Sequence, residues 1–291
     1  MRQPAITISS LVCHTHVKMA LDCLGSLRRH CCSNVKFQIH EDGTVTDEDA
    51  ERLTALGHVR LIRRAEADER MAVELKNHPY ALNLRKSFPL ALKLFDTVAF
   101  HSGPDFAFVD SDILFLRPFA NPFQFDENAQ HNAVFMDDRE NCYCFRSWGL
   151  FREPKIQLPA RVNSGMILFR KSHYDVDALE WFLSRPAVQA IPGMREQTAW
   201  AFLGHRVSCR KFCPNHARIM REGEPDGELI AGHFTARTRS LLPEYVLKSE
   251  QAHALPKAEF KTIDGGRCRA LNVARFELSR IISRFGGGNS Q

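Results

Sequence analysis

Two aspartates, Asp110 and Asp112, stand one residue apart in "FAFVDSDILFLRP" (106–118), a run that otherwise reads as buried strand. In an extended chain, residues two apart point to the same side, so both carboxylates project together from the end of an apolar strand. Two such charges repel unless a cation sits between or near them. A divalent metal resolves the conflict, and oxygen ligands favour Mg²⁺ or Mn²⁺, which keep open positions for phosphate oxygens of a substrate. The duller reading is two solvated acids at a surface strand end. It suits an isolated Asp-Ser-Asp, but residues 106–109 are too apolar for an exposed edge. Acids at the carboxyl end of a central α/β strand also sit where such folds bind ligands.

Three other stretches carry groups that complement such a site. "ARVNSGMILFRKS" (160–172) runs a small polar turn into a strand; Gly165 allows close backbone approach, and Asn163 offers donors and an acceptor. "REQTAWAFLG" (195–204) places Glu196 and Gln197 at a helix start, where an acid also complements the helix dipole. "AGHFTARTRS" (231–240) follows a strand with His233, able to complete a metal site as a neutral imidazole, and then Arg237 and Arg239, suited to phosphates. Each has a structural alternative: a core histidine, solvated arginines, a helix-capping acid, a plain turn. "HRVSCRKFCPNH" (205–216) offers a separate set, His205, Cys209, Cys213 and His216, as zinc ligands, although the spacing fits no common zinc signature tightly.

The elements that must position these groups alternate between short apolar runs and helical patterns, the signature of an α/β sheet. Strands are expected over residues 5–12, 35–40, 59–62, 106–109, 113–116 and 162–169, with the last clear strand signal at 228–234. Helical spacing covers 19–29, 82–94, 176–183 and 196–203, with Pro89 bending the second of these or starting a new segment. Thr46 and Asp49 have the spacing of a capping box, which starts a helix running to about residue 56. Residues after Pro118 and Pro122 read as loop-rich.

The chain has 291 residues, 44% hydrophobic and 25% charged, which suits one large α/β domain with a small appendage. A net charge of +5 comes without the long basic blocks of disordered nucleic-acid-binding arms, and suits an anionic small ligand as well as a polyanion. The first thirty residues lack a clean apolar h-region and no run approaches a membrane span, so the expectation is a soluble, cytoplasmic protein. Nine cysteines, an odd number with Cys31 and Cys32 adjacent, read as reduced thiols.

In the order and type of its motifs the chain resembles the GT-A glycosyltransferases, especially the family of glycogenin and the bacterial lipopolysaccharide galactosyltransferases. The resemblance spans roughly residues 5–245, with its specific motifs in a few short stretches. It implies a GT-A (Rossmann-like) α/β domain with a mixed central sheet over 1–245, followed by a C-terminal extension at 246–291. In that family an Asp-x-Asp strand end binds manganese and the nucleotide-sugar diphosphate, matched by Asp110 and Asp112. The Asn-Ser-Gly motif is matched by Asn163, Ser164 and Gly165, and the Asp-Gln pair that contacts the donor sugar by Glu196 and Gln197, with Glu replacing Asp. A metal-binding His followed by a phosphate-binding base is matched by His233 and Arg239, and a basic residue on the preceding helix by Lys86. The late motif departs from the family's Gly and Lys-Pro-Trp, having Ala236 and Arg239-Ser240-Leu241.

The resemblance implies metal-dependent transfer of a sugar from a nucleotide-diphosphate donor to an acceptor hydroxyl on a glycan, a lipid-linked molecule or a small molecule. Mn²⁺ or Mg²⁺ would be the cofactor, and cell-surface glycan synthesis is one setting for such a reaction. A metal-dependent phosphohydrolase and a nucleotide-sugar-binding protein without catalysis are the rival readings; against the first, about a hundred residues precede the aspartate pair. The loop 137–159, with Tyr143, Phe145 and Trp148, offers either an aromatic platform for a sugar face or local packing. Residues 268–285 form a basic amphipathic pattern that packs on the domain or lies on the inner face of an anionic membrane, the packed reading being preferred.

Overall fold

The computed structural model describes residues 5–269, 271–275 and 277–278. Strand β1 (Ile6–Val12), helix α1 (Val17–His30), β2 (Val35–Glu41), α2 (Asp47–Thr54) and β3 (Val59–Ile62) open the chain, followed by α3 (Arg64–Glu74), α4 (Pro79–Ser87) and α5 (Ala91–Phe100). Then come β4 (Asp105–Val109), β5 (Ile113–Phe115), β6 (Ala133–Asp137), α6 (Ser147–Arg152), β7 (Val162–Arg170), α7 (Val176–Leu183) and α8 (Arg195–Arg206). The order closes with β8 (Cys209–Phe212), β9 (Ala217–Ile219), β10 (Ala231–His233), α9 (Leu242–Gln251) and β11 (Thr262–Asp264).

Among the described residues the main sheet is eight-stranded, in the order β11-β8-β6-β7-β4-β1-β2-β3, and β5-β10-β9 form a second, three-stranded sheet. The run β4-β1-β2-β3 is parallel, whereas β7 is antiparallel to both β4 and β6, which makes the sheet mixed. Strand β4 shows why its residues choose this arrangement. Phe106 and Phe108 enter the core built with α4, α5, α7 and α8, while Ala107 and Val109 enter the core built with α1 and the second sheet. A strand covered on both faces has to be apolar throughout.

Local signals act where the sequence places them. Thr46 accepts from the Asp49 amide at 3.2 Å and donates its own amide to Asp49 Oδ2 at 3.2 Å, the capping box that starts α2. The 82–94 helix is two helices: α4 ends at Ser87 and α5 begins at Ala91, with Pro89 in the break, since proline cannot continue the amide ladder. Strands β6 and β11 and helix α3 lie where the sequence pattern gives no element. Strand β11 pairs with β8, and the Ala258 amide bonds Pro118 O at 2.8 Å, so residues 246–269 are knitted into the main domain. Val273 packs in the core while Leu271 is exposed; half of the basic helix expected over 268–285 lies outside the described residues. No helix among the described residues is long and apolar enough to cross a membrane.

Candidate functional site

Strand β4 delivers the two aspartates to the carboxyl edge of the sheet. After Val109 the chain turns, closed by the Ile113 amide on Asp110 O at 3.2 Å, and runs into β5. Strand β5 pairs antiparallel with β10 so that Ile113 faces His233, and the Phe234 amide bonds Asp112 O at 2.9 Å. Two residues 121 positions apart are thereby locked together: His233 Nε2 lies 3.0 Å from Asp112 Oδ1 and 3.9 Å from Asp110 Oδ2. The other ring nitrogen lies 3.3 Å from Asn163 Oδ1, which fixes the ring with Nε2 toward the carboxylates.

The Asn-Ser-Gly segment is not a turn. It lies within β7 and is buried, and the register on β6 jumps from Ile167 opposite Phe135 to Asn163 opposite Met136. Residues 164–166 thus form a bulge, a device that re-aims side chains beside sites. Gly165 is required there: a Cβ would sit 2.8 Å from both Asn163 Oδ1 and His233 Nδ1. Its amide donates to Asn163 Oδ1 at 2.9 Å, and its carbonyl accepts from the Asp110 amide at 2.8 Å, tying the bulge to the aspartate turn.

Behind Asp110 stands a residue that the sequence reading passed over. Lys93, buried on α5, donates to both oxygens of Asp110 at 3.0 and 3.1 Å and lies 3.8 Å from Glu196 Oε1. Glu196, in the first turn of α8, receives the Ser164 hydroxyl on Oε2 at 3.0 Å, while its Oε1 is buried without a hydrogen bond. Gln197 donates to Cys142 O at 3.0 Å and to Asp138 Oδ2 at 3.4 Å, and Asn163 Nδ2 meets the same Asp138 oxygen at 3.3 Å. On the opposite wall, Arg239 donates to Asp112 Oδ2 at 3.3 Å and to His16 Nε2 at 3.0 Å.

These groups surround one cavity of about 400 Å³, lined by Asp110, Asp112, Asn163, Ser164, Gly165, Glu196, Gln197, His233, Arg239 and Lys93. The ends of β1 and β2 close it with Leu11, Val12, Cys13, His16 and Asp42. Lys86 is exposed on α4 and does not line it; the basic residue that reaches Asp110 is Lys93, one helix later. The remaining candidates fall elsewhere. Tyr143 and Phe145 are buried, the Tyr143 hydroxyl donating to Pro159 O and accepting from the Val162 amide, so both pack the loop; the Trp148 side chain lies outside the described residues. His205, Cys209, Cys213 and His216 form no cluster of ligand atoms, and His216 Nδ1 accepts from the Lys261 amide.

Burial and charge divide the cavity's ionisable groups. Burial opposes ionisation of Asp112, yet His233 and Arg239 overcome it and hold the carboxyl at about 2. Burial and the neighbouring Asp112 push Asp110 up, against Lys93, and burial pushes Glu196 up to about 7 despite Lys93. Burial disfavours the His233 cation, but the Asp112 carboxylate outweighs it and raises the imidazole. Asp110, Asp112 and His233 are therefore a set whose charges await a better counterion than a proton. Their ligand atoms all lie within 4.8 Å of one another, and two carboxylates with one imidazole fit a hard divalent cation.

His16, Asp42 and Lys93 went unnoticed because each depends on a neighbour far along the chain. Lys93 alone had a local signal: "ALKLFDTVAF" is apolar around the helix, so its two charges must be buried and paired.

No family model matches the sequence, and no curated protein does. Solved structures do. The galactosyltransferase LgtC, crystallised with donor and acceptor sugar analogues, shares 11% identity at a TM-score of 0.55, the alignment covering 86% of this chain and 98% of that one. Mouse xyloside xylosyltransferase 1 in its apo form shares 12% at 0.54, covering 81% and 99%. The glycosyltransferase GlyE of Streptococcus pneumoniae shares 11% at 0.50, covering 96% and 64%. The fold is the GT-A fold of these glycosyltransferases, as the order of the motifs leads one to expect.

Proposed function

We propose that the protein transfers a sugar from a nucleoside-diphosphate donor to an acceptor hydroxyl, with Mn²⁺ or Mg²⁺ as cofactor. One observation carries the reading: a two-carboxylate, one-imidazole group fit for a divalent cation lines the same cavity as a buried carboxylate, Glu196, one of whose oxygens makes no hydrogen bond, in a chain with this fold. The LgtC and GlyE structures, by their own descriptions, are glycosyltransferases, which supports the same class of reaction here.

Asp110, Asp112 and His233 would hold the metal, which when bound supplies Lewis-acid stabilisation of the departing diphosphate. Arg239 faces the same phosphates and shares their negative charge. Lys93 holds Asp110 at fixed distance and keeps the carboxylate pair from repelling. Lys86, read from the sequence for this basic role, stands outside the cavity, and Lys93 takes its place in the proposal. The β7 bulge brings Ser164 and the Gly165 backbone against the donor, and Asn163 orients His233.

As the bond between the anomeric carbon and the diphosphate oxygen breaks, positive charge develops on the sugar, and the Oε1 of Glu196 is the carboxylate oxygen free to meet it. Gln197, tied to Asp138 and Cys142 O, positions the sugar hydroxyls beside it. The acceptor oxygen then bonds to the anomeric carbon as the bond to the diphosphate breaks, and its proton passes to the departing diphosphate oxygen. Calorimetric titration of nucleoside diphosphates and their sugars, with Mn²⁺ and with a chelator, tests this. Metal-dependent binding of one nucleotide, followed by formation of a glycoside, is expected; absence of binding across the panel would sink the reading.

A further inference from the structure

Strand β1 runs into a short turn, "CHTH" (13–16), whose two histidines are used differently. His14 is spent on the scaffold: its amide donates to Thr44 Oγ1 at 2.9 Å, and its Nδ1 lies 2.5 Å from Asp49 Oδ2, the acid of the α2 capping box. The His16 amide closes the turn on Cys13 O at 3.0 Å, and Val17 is buried at the start of α1. With the turn pinned on both sides, His16 is set in the wall of the donor cavity.

What its ring meets there is Arg239, 223 residues on. Arg239 Nη1 donates to His16 Nε2 at 3.0 Å and Nη2 to Asp112 Oδ2 at 3.3 Å, while Nε is buried without a hydrogen bond. These two contacts therefore fix where the guanidinium points. An arginine has no acceptor, so Nε2 must offer its lone pair, which makes His16 a neutral imidazole with its proton on Nδ1. Burial first, and Arg239 next, lower His16 from its usual range, against Asp112 and Asp42, in keeping with that state.

The two anchors differ in what they do to the charge. Asp112 is shared: His233 Nε2 stands 3.0 Å from its other oxygen, and it belongs to the group assigned to the cation. An acid in the place of His16 would add a further negative charge beside the same guanidinium and cancel it. A neutral imidazole holds the arm by a charge-assisted hydrogen bond and leaves the positive charge to act on something else. Arg237, two residues earlier, is exposed and does not line the cavity, which leaves Arg239 as the arginine that this segment brings to it.

We propose that His16 is a positioning residue for the donor: as a neutral acceptor it holds Arg239 over the cavity without neutralising it, so that the guanidinium meets the diphosphate. The role rests on the donor reading of the cavity, and it gives His16 an effect through Arg239 rather than through its own contact with the nucleotide. Calorimetric titration of the full chain with nucleoside diphosphates in the presence of Mn²⁺ tests it. The wild type is compared with His16→Phe, His16→Gln, Arg239→Met and the His16→Phe/Arg239→Met pair, each fold being checked by thermal melting. His16→Phe removes the acceptor and should weaken binding about tenfold, as loss of one hydrogen bond to a charged group implies. His16→Gln, whose Oε1 can take the same arm, should restore most of the affinity. In the Arg239→Met background the His16→Phe change should have no further effect, because its partner is gone. An unchanged affinity in His16→Phe, a Gln variant as weak as the Phe variant, or a His16→Phe loss that persists without Arg239 overturns the positioning role, while nucleotide binding by the wild type leaves the donor reading standing. Absence of nucleotide binding by the wild type overturns both.

Discussion

Helix α5 buries two charges three residues apart, Lys93 and Asp96, and the protein treats them in opposite ways. Asp96 is closed: Arg85 grips both its oxygens at 2.7 Å, and the third arm of the same guanidinium takes Asp68 at 2.7 Å. Lys93 is open. It leans on Asp110 and Glu196, whose oxygens also face a cavity, with Glu196 Oε1 lacking any hydrogen bond. A closed pair has no valence left for a ligand, so it joins α4 to α5 and does little else; an open one keeps charge ready for something that is yet to arrive. Strained, half-satisfied groups collect at sites, and satisfied ones hold the scaffold that presents them.

The contrast can be broken from either side. The largest effect is expected on the open side: Asp112→Asn removes a ligand charge and should cut glycosyl transfer by roughly 10³-fold, as loss of several kcal/mol of Lewis-acid stabilisation implies, with the melting temperature little changed. Retained turnover would make the aspartate pair a structural feature. On the closed side, Asp96→Ala leaves the buried Arg85 with Asp68 alone and should destabilise by about 3 kcal/mol in urea unfolding, the lower end of what breaking a buried pair costs. Lys93→Met then discriminates between the two kinds of pair. Turnover should drop roughly 10²-fold, with a smaller loss of stability than Asp96→Ala, because Asp110 and Glu196 can turn to the cavity's water; the reverse order would place Lys93 with the scaffold.

The smallest effect comes from a third buried group beside the same helix. His40 packs edge-on against Phe100, ring centroids 5.5 Å apart, with its Nδ1 unpartnered. Burial, assisted by Arg60 and Arg85, lowers it from 6.5 to about 3. Because the folded value is depressed, the unfolded chain binds the proton first. Stability is complete above about 6.5 and declines as pH falls toward 3, by about 1.4 kcal/mol per pH unit, or about 2 kcal/mol at pH 5. Urea unfolding at pH 7 and pH 5, compared with a His40→Gln variant that should lack this component of the slope, measures it.

Asp110 and Asp112 could be read from the chain because their oddity is local: two acids at the end of an apolar strand contradict their surroundings within a few residues. The capping box at Thr46 was legible for the same reason, as every partner lies within one turn. Strand β6 was not. Its five buried residues "AVFMD" lack the alternation of a half-exposed strand, and the pairs that define it lie on β7 and β8, 25 or more residues away. The strand over 162–169, which contains the Asn-Ser-Gly segment, is legible in the sequence; its bulge is not, and the segment reads there as a turn, since a bulge exists only by reference to the partner strand.

What the sequence determined by itself was the inventory: the α/β alternation, the paired carboxylates, the imidazole and the arginine that follow in order. Residue type and short spacing suffice for that, because period and local contradiction are properties of a linear chain. The tertiary structure decided which of these groups share a cavity. It put His233 against Asp112 through the β5–β10 pairing and exchanged exposed Lys86 for buried Lys93. Burial and distance, which set charge state and ligand geometry, exist only once the sheet has closed over its helices.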